Sequence, residues 1–298
     1  MLGKISIIGG LDKDGNPEKV QRLDIAAGEV LAVVGPTGSG KTQLISDIEQ
    51  YADGETLTGR TILIDEQPMD QGSEDKELRH LVAEVSQNMN FVIDMSIEEF
   101  LLMHAQVRAI NNPQKTIQKV LTISNELSGE PVFPTDNLTR LSGGQSRALM
   151  VADVATISNA PVVLIDEIEN AGIDRLKALK ILTGQGKIVL LVSHDPTLIL
   201  MARQRVIMKN GGMDKLYQTT VEEKKILEGL IGQEKHFASL RDHLRSGKRI
   251  GMKNENKEEW YRGQSFGTLS AEYQQIPGGN AQGARSEDAG ETRDRDSN

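Results

Sequence analysis

The chain has 298 residues, of which 34 are basic and 43 acidic, giving a formal net charge of −9. This length is sufficient for one large domain or two small ones with a substantial core. The acidic balance argues against nucleic acid or anionic lipid as a partner held mainly by charge. Because the chain has no cysteine, disulfides, thiolate metal sites and cysteine nucleophiles are excluded.

The N-terminal residues and the apolar runs carry no signal for export or membrane insertion. Met1 to Ile5 lacks the pattern of a secretory signal peptide, and no apolar run approaches the ~18 residues that span a bilayer. We therefore expect a cytoplasmic protein without direct membrane insertion. Any place at the inner face of the membrane would come through a partner chain.

The first predicted elements are two short strands. Apolar residues alternate with polar ones at Ile5 and Ile7, and the pattern returns at Val20, Leu23 and Ile25. A stretch rich in glycine, aspartate and asparagine separates the two runs. This pattern predicts a β-hairpin or a small antiparallel sheet.

A glycine-rich loop follows the next apolar run, residues 30–34, and apolar residues at helical spacing follow the loop. The loop consists of Gly35, Pro36, Thr37, Gly38, Ser39, Gly40, Lys41 and Thr42. Backbone N–H groups on such a loop, at the start of a helix, converge on phosphate oxygens. We expect Lys41 to reach the β- and γ-phosphates of a nucleotide and the Thr42 hydroxyl to ligate Mg²⁺.

The middle of the chain changes from strands to helices. After two short predicted strands the pattern becomes helical at Ser96, which forms a capping box with Glu99, and Pro113 separates two helices. A helical insertion of this size predicts a lobe projecting from an α/β core, at about residues 88–158. His104, on the apolar face of the first helix, is interpreted as a packing residue.

A second glycine motif lies at the end of this lobe. Its residues are Leu141, Ser142, Gly143, Gly144 and Gln145. Because Ser142, Gly143 and Gly144 precede a helical run, their N–H groups and the serine hydroxyl form a second anion site.

Two acids end the most apolar strand of the chain. Residues 162–165 are continuously apolar, which is typical of a central strand in a parallel sheet, and ligands bind such sheets at the carboxyl ends of the strands. Asp166 suits Mg²⁺ bound to nucleotide phosphates, since such an ion takes one or two protein oxygens. Glu167 suits polarisation of an attacking water. A solvated strand end is the alternative for both acids.

The order of these motifs resembles the nucleotide-binding domain of the ATP-binding cassette (ABC) family, over about residues 3 to 220. Gln87 at the end of a strand and His194 after the apolar run 188–192 complete the pattern. The resemblance implies an α/β P-loop NTPase fold of ABC type. It has a mainly parallel sheet core, an antiparallel β subdomain and a helical signature subdomain. It also implies ATP hydrolysis with ATP and Mg²⁺ as cofactors.

The resemblance also assigns roles that the residues alone leave open. It implies that Gln87 senses metal and water and contacts whatever the ATPase drives, and that His194 contacts the γ-phosphate. On the residues alone, the alternative for Gln87 is an ordinary loop residue, and the alternative for His194 is an ordinary histidine at a strand end. It further implies that residues 142–145 complete the nucleotide pocket of an opposite protomer. The partner is then a second copy, or another ABC ATPase in a pseudo-symmetric heterodimer.

Three features depart from the family pattern. No aromatic residue or histidine occurs before Val34, where the family usually has an aromatic that stacks on adenine. The segment after Glu167 begins with Ile168 in place of a common proline. It is also one residue longer than usual before Asp174, our candidate for an intersubunit contact. The helix after Gln145 lacks the arginine-rich run common in transporter subunits.

The C-terminal part divides into a helix and a tail. Residues 221–246 have helical periodicity, with acids in the first turn and bases in the last, and either pack on the core or contact a partner. Residues 247–298 are polar, and we expect them to be disordered. Trp260, Tyr261 and Phe266 in this tail form either a docking motif or part of a loosely packed segment.

Two functions compete at this stage. One is a soluble ATPase that remodels a protein or enzyme complex. The other is the ATP-binding subunit of an ABC membrane transporter. The soluble ATPase is slightly favoured by three features: the missing N-terminal aromatic, the helix after Gln145 without its arginine-rich run, and the long tail. No single residue decides between the two functions.

Overall fold

The computed structural model describes residues 2–68, 81–86, 89–166 and 172–249. Gln87, Glu167, Ile168 and the tail from residue 250 lie outside these ranges. The strands are β1 (Lys4–Ile8), β2 (Arg22–Ala26), β3 (Val30–Val34), β4 (Thr61–Ile64), β5 (Gln67–Pro68), β6 (Val82–Ser86), β7 (Val162–Asp166), β8 (Ile188–Val192), β9 (Gln204–Lys209) and β10 (Gly212–Gln218). The helices are α1 (Lys41–Glu49), α2 (Ile97–Val107), α3 (Pro113–Ser128), α4 (Gly143–Thr156), α5 (Arg175–Gly184), α6 (Pro196–Met201) and α7 (Val221–Arg245).

The core is a six-stranded sheet in the order β10-β9-β3-β8-β7-β6. The five strands from β9 to β6 are parallel, and β10 pairs antiparallel with β9 at one edge. All five residues of β8 are buried, as are the first four of β3 and β7. Their unbroken apolar sequences reflect burial on both faces of the sheet.

The register of this sheet brings four strand ends into one row. Val33 of β3 pairs with Val192 of β8, Val192 pairs with Asp166 of β7, and Asp166 pairs with Ser86 of β6. Neighbouring strands lie about 4.8 Å apart, so Asp166 emerges roughly 10 Å from the strand that leads into the glycine-rich loop. The sheet therefore carries Asp166 and the start of the glycine-rich loop to one edge.

A smaller antiparallel sheet has the order β2-β1-β4-β5. The alternation predicted from the sequence appears in the pairing of Ile5 with Ile25 and of Ile7 with Leu23. These four side chains are buried in a cluster that also contains Leu44 of α1. The small sheet thus packs on the helix that follows the glycine-rich loop.

The helical lobe contains α2, α3 and α4 and has its own apolar cluster. Ile97 and Leu101 of α2, Val120 of α3 and Leu149 of α4 are among its buried members. The predicted capping box is present, because the Ser96 side chain accepts from Glu99 N and the Glu99 side chain accepts from Ser96 N. His104 packs as predicted, with its ring tilted by 43° against the Phe100 ring and its Nδ1 3.2 Å from an Asp153 carboxylate oxygen.

Two elements of the core were not predicted. The sequence pattern of residues 206–212 indicates a final strand and a turn, but the chain continues into β10. Asn210 and Gly211 both have positive φ, 51° and 84°, which is the geometry of a tight hairpin turn. Helix α6 was also missed, although Asp195 caps it and Pro196 occupies its first turn.

The chain divides into two compact units, residues 1–238 and 239–298. Within the first unit, two ion pairs hold α7 against the core: Glu223 with Arg205 of β9, and Glu234 with Arg175 of α5. No residue of α7 is fully buried. Residues 221–238 of the helix therefore lie on the surface of the first unit, where these two ion pairs attach them. No described helix is long and apolar enough to cross a membrane.

Candidate functional site

The glycine-rich loop connects β3 to α1. At two of its glycines, close contacts leave no space for a side chain. A Cβ added to Gly35 would lie 2.5 Å from the Met208 carbonyl oxygen and 2.6 Å from Ser39 Oγ. A Cβ on Gly40 would lie 2.7 Å from Gly211 Cα, and Gly40 also has a φ of 101°. The loop is therefore held tightly against the β9–β10 hairpin, and its path depends on glycine.

The opposite side of the loop is open. A Cβ added to Gly38 would meet no atom within 4 Å, and Thr37, Gly38 and Thr42 are exposed. Ser39 is buried, and its hydroxyl has no hydrogen-bond partner in the described part of the protein. The loop thus offers an open face to a ligand and keeps a closed face towards the hairpin.

The N-terminus of α1 lacks the side-chain cap that the other described helices have. Its N-cap is Gly40, and no side chain accepts from its first amides. The corresponding capping residues elsewhere are Ser96, Asn112, Ser142, Asp174, Asp195 and Thr220. The first-turn amides of α1 are thus left for an external acceptor, and the helix dipole favours an anion at that place.

Lys41 lies over the loop that precedes it. Its Nζ donates to the carbonyl oxygens of Gly35 at 2.8 Å and Pro36 at 3.2 Å. Lys41 is half-buried, and its ammonium group lies at the loop. A phosphate entering the loop would find this cation beside the free amides of α1.

Residues remote in sequence support the loop, and the sequence analysis did not identify them. Gly211 N donates to Ser39 O at 2.9 Å, and Lys13 Nζ donates to Gly38 O at 2.7 Å. Lys13 is itself fixed by a hydrogen bond from its backbone N to Asn210 O. The Asn-Gly pair was a readable turn signal, but nothing in the sequence indicates that this turn packs on the loop.

Asp166 and His194 emerge at the same sheet edge as the loop. Asp166 is the last residue of β7 and half-buried, and His194 is exposed two residues after Val192. Asp195 fixes the chain beyond His194, since its carboxylate accepts from Thr197 N and from Arg175. The sheet thus brings the loop, Asp166 and His194 to one edge. Gln87 and Glu167, which directly follow Ser86 and Asp166, lie outside the described residues.

The second glycine motif forms the start of α4. Ser142 Oγ accepts from Gln145 N at 3.2 Å, and Gln145 Oε1 accepts from Ser142 N at 2.9 Å. Ser142 and Gly143 are exposed, so the first-turn amides of Gly143 and Gly144 face solvent or a partner. The motif lies next to Gly172, which follows β7 in the chain, because a Cβ on Gly172 would be 3.4 Å from Gly144 Cα.

Asp174, the candidate intersubunit residue, has a role within its own chain. Its carboxylate accepts from Lys177 N at 3.0 Å and caps α5. The residue is nevertheless exposed. The intersubunit role stays a prediction.

Comparison with known proteins decides the family. The family model described as "ABC transporter" matches residues 19–170, which include the glycine-rich loop, the Ser-Gly-Gly-Gln motif and Asp166. An uncharacterised ABC transporter ATP-binding protein of Methanocaldococcus jannaschii is 51% identical over 251 residues, covering 84% of this chain and 95% of the relative. The chain belongs to the ABC family. It is an ATP hydrolase of the ABC type, as its motifs predicted.

In more distant relatives of this ABC ATPase, the region that matches is only part of a longer protein. A macrolide export ATP-binding/permease protein of Campylobacter jejuni is 29% identical over 230 residues, covering 74% of this chain and 35% of the relative. These comparisons do not support the soluble complex-remodelling ATPase that the sequence analysis preferred. They favour the alternative, the ATP-binding subunit of an ABC transporter.

Two solved structures share the fold. The protein cbiO1 from Clostridium perfringens, part of the ABC transporter complex cbiONQ, superimposes with a TM-score of 0.56 at 20% identity, over 80% of this chain and 99% of that one. A dimeric ATP-binding cassette bound to ADP and phosphate superimposes with a TM-score of 0.54 at 20% identity, over 72% of this chain and 99% of that one. The predicted ABC-type P-loop fold is confirmed.

Two oxygen donors of this ABC ATPase fit Mg²⁺ that is bound to a nucleotide. Within the described ranges, no group of three or more histidine or acidic side chains is arranged to hold a metal ion. Asp166 and the exposed Thr42 hydroxyl are hard oxygen donors at one sheet edge. Mg²⁺ that is bound mainly through nucleotide phosphates and water needs only such a pair.

Proposed function

We propose that this ABC ATPase is the ATP-binding subunit of a membrane transporter, and that two subunits bind and hydrolyse MgATP between them. The observation that carries the transporter role is the 51% identity along 95% of a relative named as an ABC transporter ATP-binding protein. The features of the sequence that favoured a soluble role do not outweigh this likeness. In this proposal the protein is cytoplasmic and lies at the inner face of the membrane through its partner.

The glycine-rich loop binds the phosphates. The uncapped amides of α1 and the loop N–H groups donate to the phosphate oxygens, and Lys41 exchanges its bonds to Gly35 and Pro36 for the β- and γ-phosphates. The open face at Gly38 allows entry. Binding then replaces two neutral acceptors of the ammonium with charged ones.

The strand ends supply the groups for hydrolysis. Thr42, Asp166 and Gln87 hold Mg²⁺, which neutralises charge on the phosphate oxygens when it is bound. Glu167 orients and polarises the attacking water, and His194 contacts the γ-phosphate from the neighbouring strand. The register that aligns Val192 with Asp166 supports this grouping.

The second glycine motif, residues 141–145, which we call the signature motif, completes the site of a second chain. Ser142, Gly143, Gly144 and Gln145 present an exposed helix N-terminus, which suits the γ-phosphate of a nucleotide held by another protomer. Two nucleotides are then enclosed between two chains. Either a second copy or another ABC ATPase fills the partner position.

Exposed apolar side chains on the helical lobe support a protein partner. Val92 is 89% exposed and Val107 is 78% exposed, and Met103 and Phe133 are also exposed. Met103 and Val107 lie four residues apart on α2 and share one face of it. A membrane-spanning chain that is driven by the ATPase is the partner we propose, in line with the permease named in the Campylobacter relative.

The test uses a variant that retains ATP. Glu167→Gln should bind ATP and hydrolyse it poorly, so that it stays attached to its partner during isolation from native cells. We expect a chain with several membrane spans at a near-stoichiometric ratio, absent when Lys41→Ala is added to the same variant. A soluble enzyme complex recovered in its place would support the remodelling ATPase and refute the transporter subunit.

A further inference from the structure

We propose that Arg60 is a positioning residue that keeps the phosphate loop in its binding geometry, through a buried ion cluster with Glu18 and Asp47. The proposal rests on the proposed role of residues 35–42 as the loop that binds nucleotide phosphates. It adds a residue that the loop and strand motifs do not include.

The three side chains form a charge cluster that water does not reach. Arg60 and Glu18 side chains are 0% exposed and Asp47 is 1% exposed. Arg60 NH2 lies 2.6 Å from Glu18 Oε1, and its NH1 lies 2.7 Å from Asp47 Oδ2. The guanidinium thus binds one carboxylate on each side, in the geometry that makes arginine suited to buried pairs.

The remaining bonds of both carboxylates are satisfied. Glu18 accepts from Met213 N at 2.6 Å and from Gly10 N at 3.0 Å. Asp47 accepts from Thr58 Oγ1 at 2.9 Å and from Gln43 Nε2 at 3.1 Å. A buried charge cluster costs desolvation free energy unless it is fully bonded in this way, and removal of one member leaves its partners uncompensated. Each member of the cluster therefore depends on the other two.

Arg60 transmits this arrangement to the loop through the hairpin turn. Its NH2 donates to Gly211 O at 2.8 Å. Gly211 N in turn donates to Ser39 O, and Gly211 Cα is the atom against which Gly40 packs. Displacement of the guanidinium would remove the hydrogen bond to the Gly211 carbonyl. The turn that contacts Ser39 and Gly40 would then become less rigid.

Arg60 reaches the same loop from its other end through α1. Asp47 lies in the helix that begins with Lys41, and its carboxylate is bound by NH1 of Arg60. One side chain therefore connects the turn behind the loop to the helix after it. The loop is held between these two attachments, so its amides point at a fixed place before any ligand arrives.

The guanidinium remains charged under working conditions. Burial lowers the pKa of Arg60, but hydrogen bonds and attraction from Glu18 and Asp47 outweigh burial, and the pKa is raised above its ordinary value. The cluster is thus a permanent support for the loop.

The test compares variants of Arg60 and Thr58 with a core variant outside the ion cluster. Arg60→Lys keeps the positive charge but cannot bind both carboxylates as the guanidinium does. Thr58→Val removes one hydrogen-bond donor to Asp47 and changes the side-chain volume at position 58 only slightly. Leu179→Ala is the control, because Leu179 is buried in a different apolar cluster. Melting temperature, ATP and ADP dissociation constants, and hydrogen exchange of the Gly211 amide are measured for each full-length variant.

We expect Arg60→Lys to weaken ATP and ADP binding at least tenfold and to speed exchange at Gly211, with a smaller effect in the same direction for Thr58→Val. Leu179→Ala should lower the melting temperature and leave affinity and Gly211 exchange unchanged. Wild-type affinity in Arg60→Lys, or an equal loss of affinity in Leu179→Ala, overturns the positioning role.

Failure of the loop assignment gives a separate result. If Lys41→Ala binds ATP as tightly as the wild type, residues 35–42 are not the phosphate site, whatever Arg60→Lys shows. Faster Gly211 exchange in Arg60→Lys combined with unchanged affinity would show that Arg60 fixes the turn but not the loop, which contradicts the proposal.

Discussion

Gly40 shows at the scale of one residue why this loop tolerates so little change. Its φ of 101° lies in the region that disfavours any residue with a Cβ, and an added Cβ would meet the backbone of Gly211 at 2.7 Å. Gly15 has a similar φ of 78°, but a Cβ there would meet nothing within 4 Å. A substitution at Gly15 therefore tests backbone strain alone, whereas a substitution at Gly40 tests strain together with close packing.

We expect Gly15→Ala to cost about 1 to 2 kcal/mol of unfolding free energy, the ordinary penalty for a left-handed residue with a side chain, and to leave ATP binding unchanged. Gly40→Ala should lower the ATP affinity by more than tenfold, because the turn and the loop must separate to make room. Denaturant unfolding and calorimetric titration of both variants measure this. Equal ATP affinities in the two variants would contradict the packing argument.

The sequence identified some site residues and missed others for a physical reason. Lys41 and Thr42 could be found because a glycine loop between an apolar strand and a helix is a local pattern. Lys13, Arg60 and Gly211 act through contacts between residues far apart in the chain; the bond from Arg60 to Gly211 spans 151 positions. No periodicity or motif indicates such a contact before the chain is folded.

Helices α2 and α4 have the same capping geometry, and only α4 carries the signature motif. Ser96 and Ser142 each form a complete capping box with the residue three positions later. The two serines should therefore contribute alike to stability. Any difference in function reports on the surroundings of Ser142.

Replacement of either serine by alanine should cost about 1 kcal/mol of unfolding free energy, as is usual for loss of an N-cap. We expect Ser142→Ala to reduce ATP hydrolysis several-fold as well, because its hydroxyl is lost from the proposed site of the partner chain. Ser96→Ala should hydrolyse ATP at the wild-type rate. If the two variants lose activity equally, Ser142 acts only as a helix cap.

The hydrogen bonds of Glu223 predict that the attachment of the first turns of α7 depends on pH. Hydrogen bonds from Arg205 and from Thr220 N lower the pKa of Glu223 below its ordinary value of 4.5. A lowered carboxyl pKa means that the ionised form stabilises the folded state, fully above pH 4.5, and that this contribution is lost as the pH falls through the folded-state pKa.

We therefore expect amide protection in the first turns of α7 to decrease as the pH falls below 4.5, the ordinary value. Hydrogen exchange at a series of pH values, corrected for the intrinsic rate, measures this. Glu223→Gln should have low protection throughout and lack this acid transition. An unchanged transition in Glu223→Gln would assign it to other carboxylates.

Elements with a strong local pattern were predicted well, and those decided by tertiary contacts were not. The apolar strands β3, β7 and β8 and the capping box of α2 match their predicted places. Strand β10 was missed because Met213, Leu216 and the polar residues between them have weak alternation. Its position depends on the Asn-Gly turn and on pairing with β9. The short α6 gives too few residues for a helical period.

At the scale of the whole molecule, the phosphate loop and the signature motif are two separate helix N-termini in one chain. The first adjoins the row of strand ends, and the second begins the last helix of the lobe. Our account is that ATP joins one to the other across two chains. Moving a population from mostly open to mostly closed requires about 5.5 kcal/mol of preferential binding to the closed form, which two shared nucleotides can supply.

The most direct test of this account is the mass of the Glu167→Gln variant in solution, measured by light scattering with and without ATP. We predict a monomer without nucleotide and a dimer with MgATP, while the same variant carrying Lys41→Ala stays monomeric in both. If the purified chain has another ABC ATPase as its natural partner, the dimer should appear when that chain is added. A Glu167→Gln variant that binds ATP and remains monomeric with either partner would contradict the account.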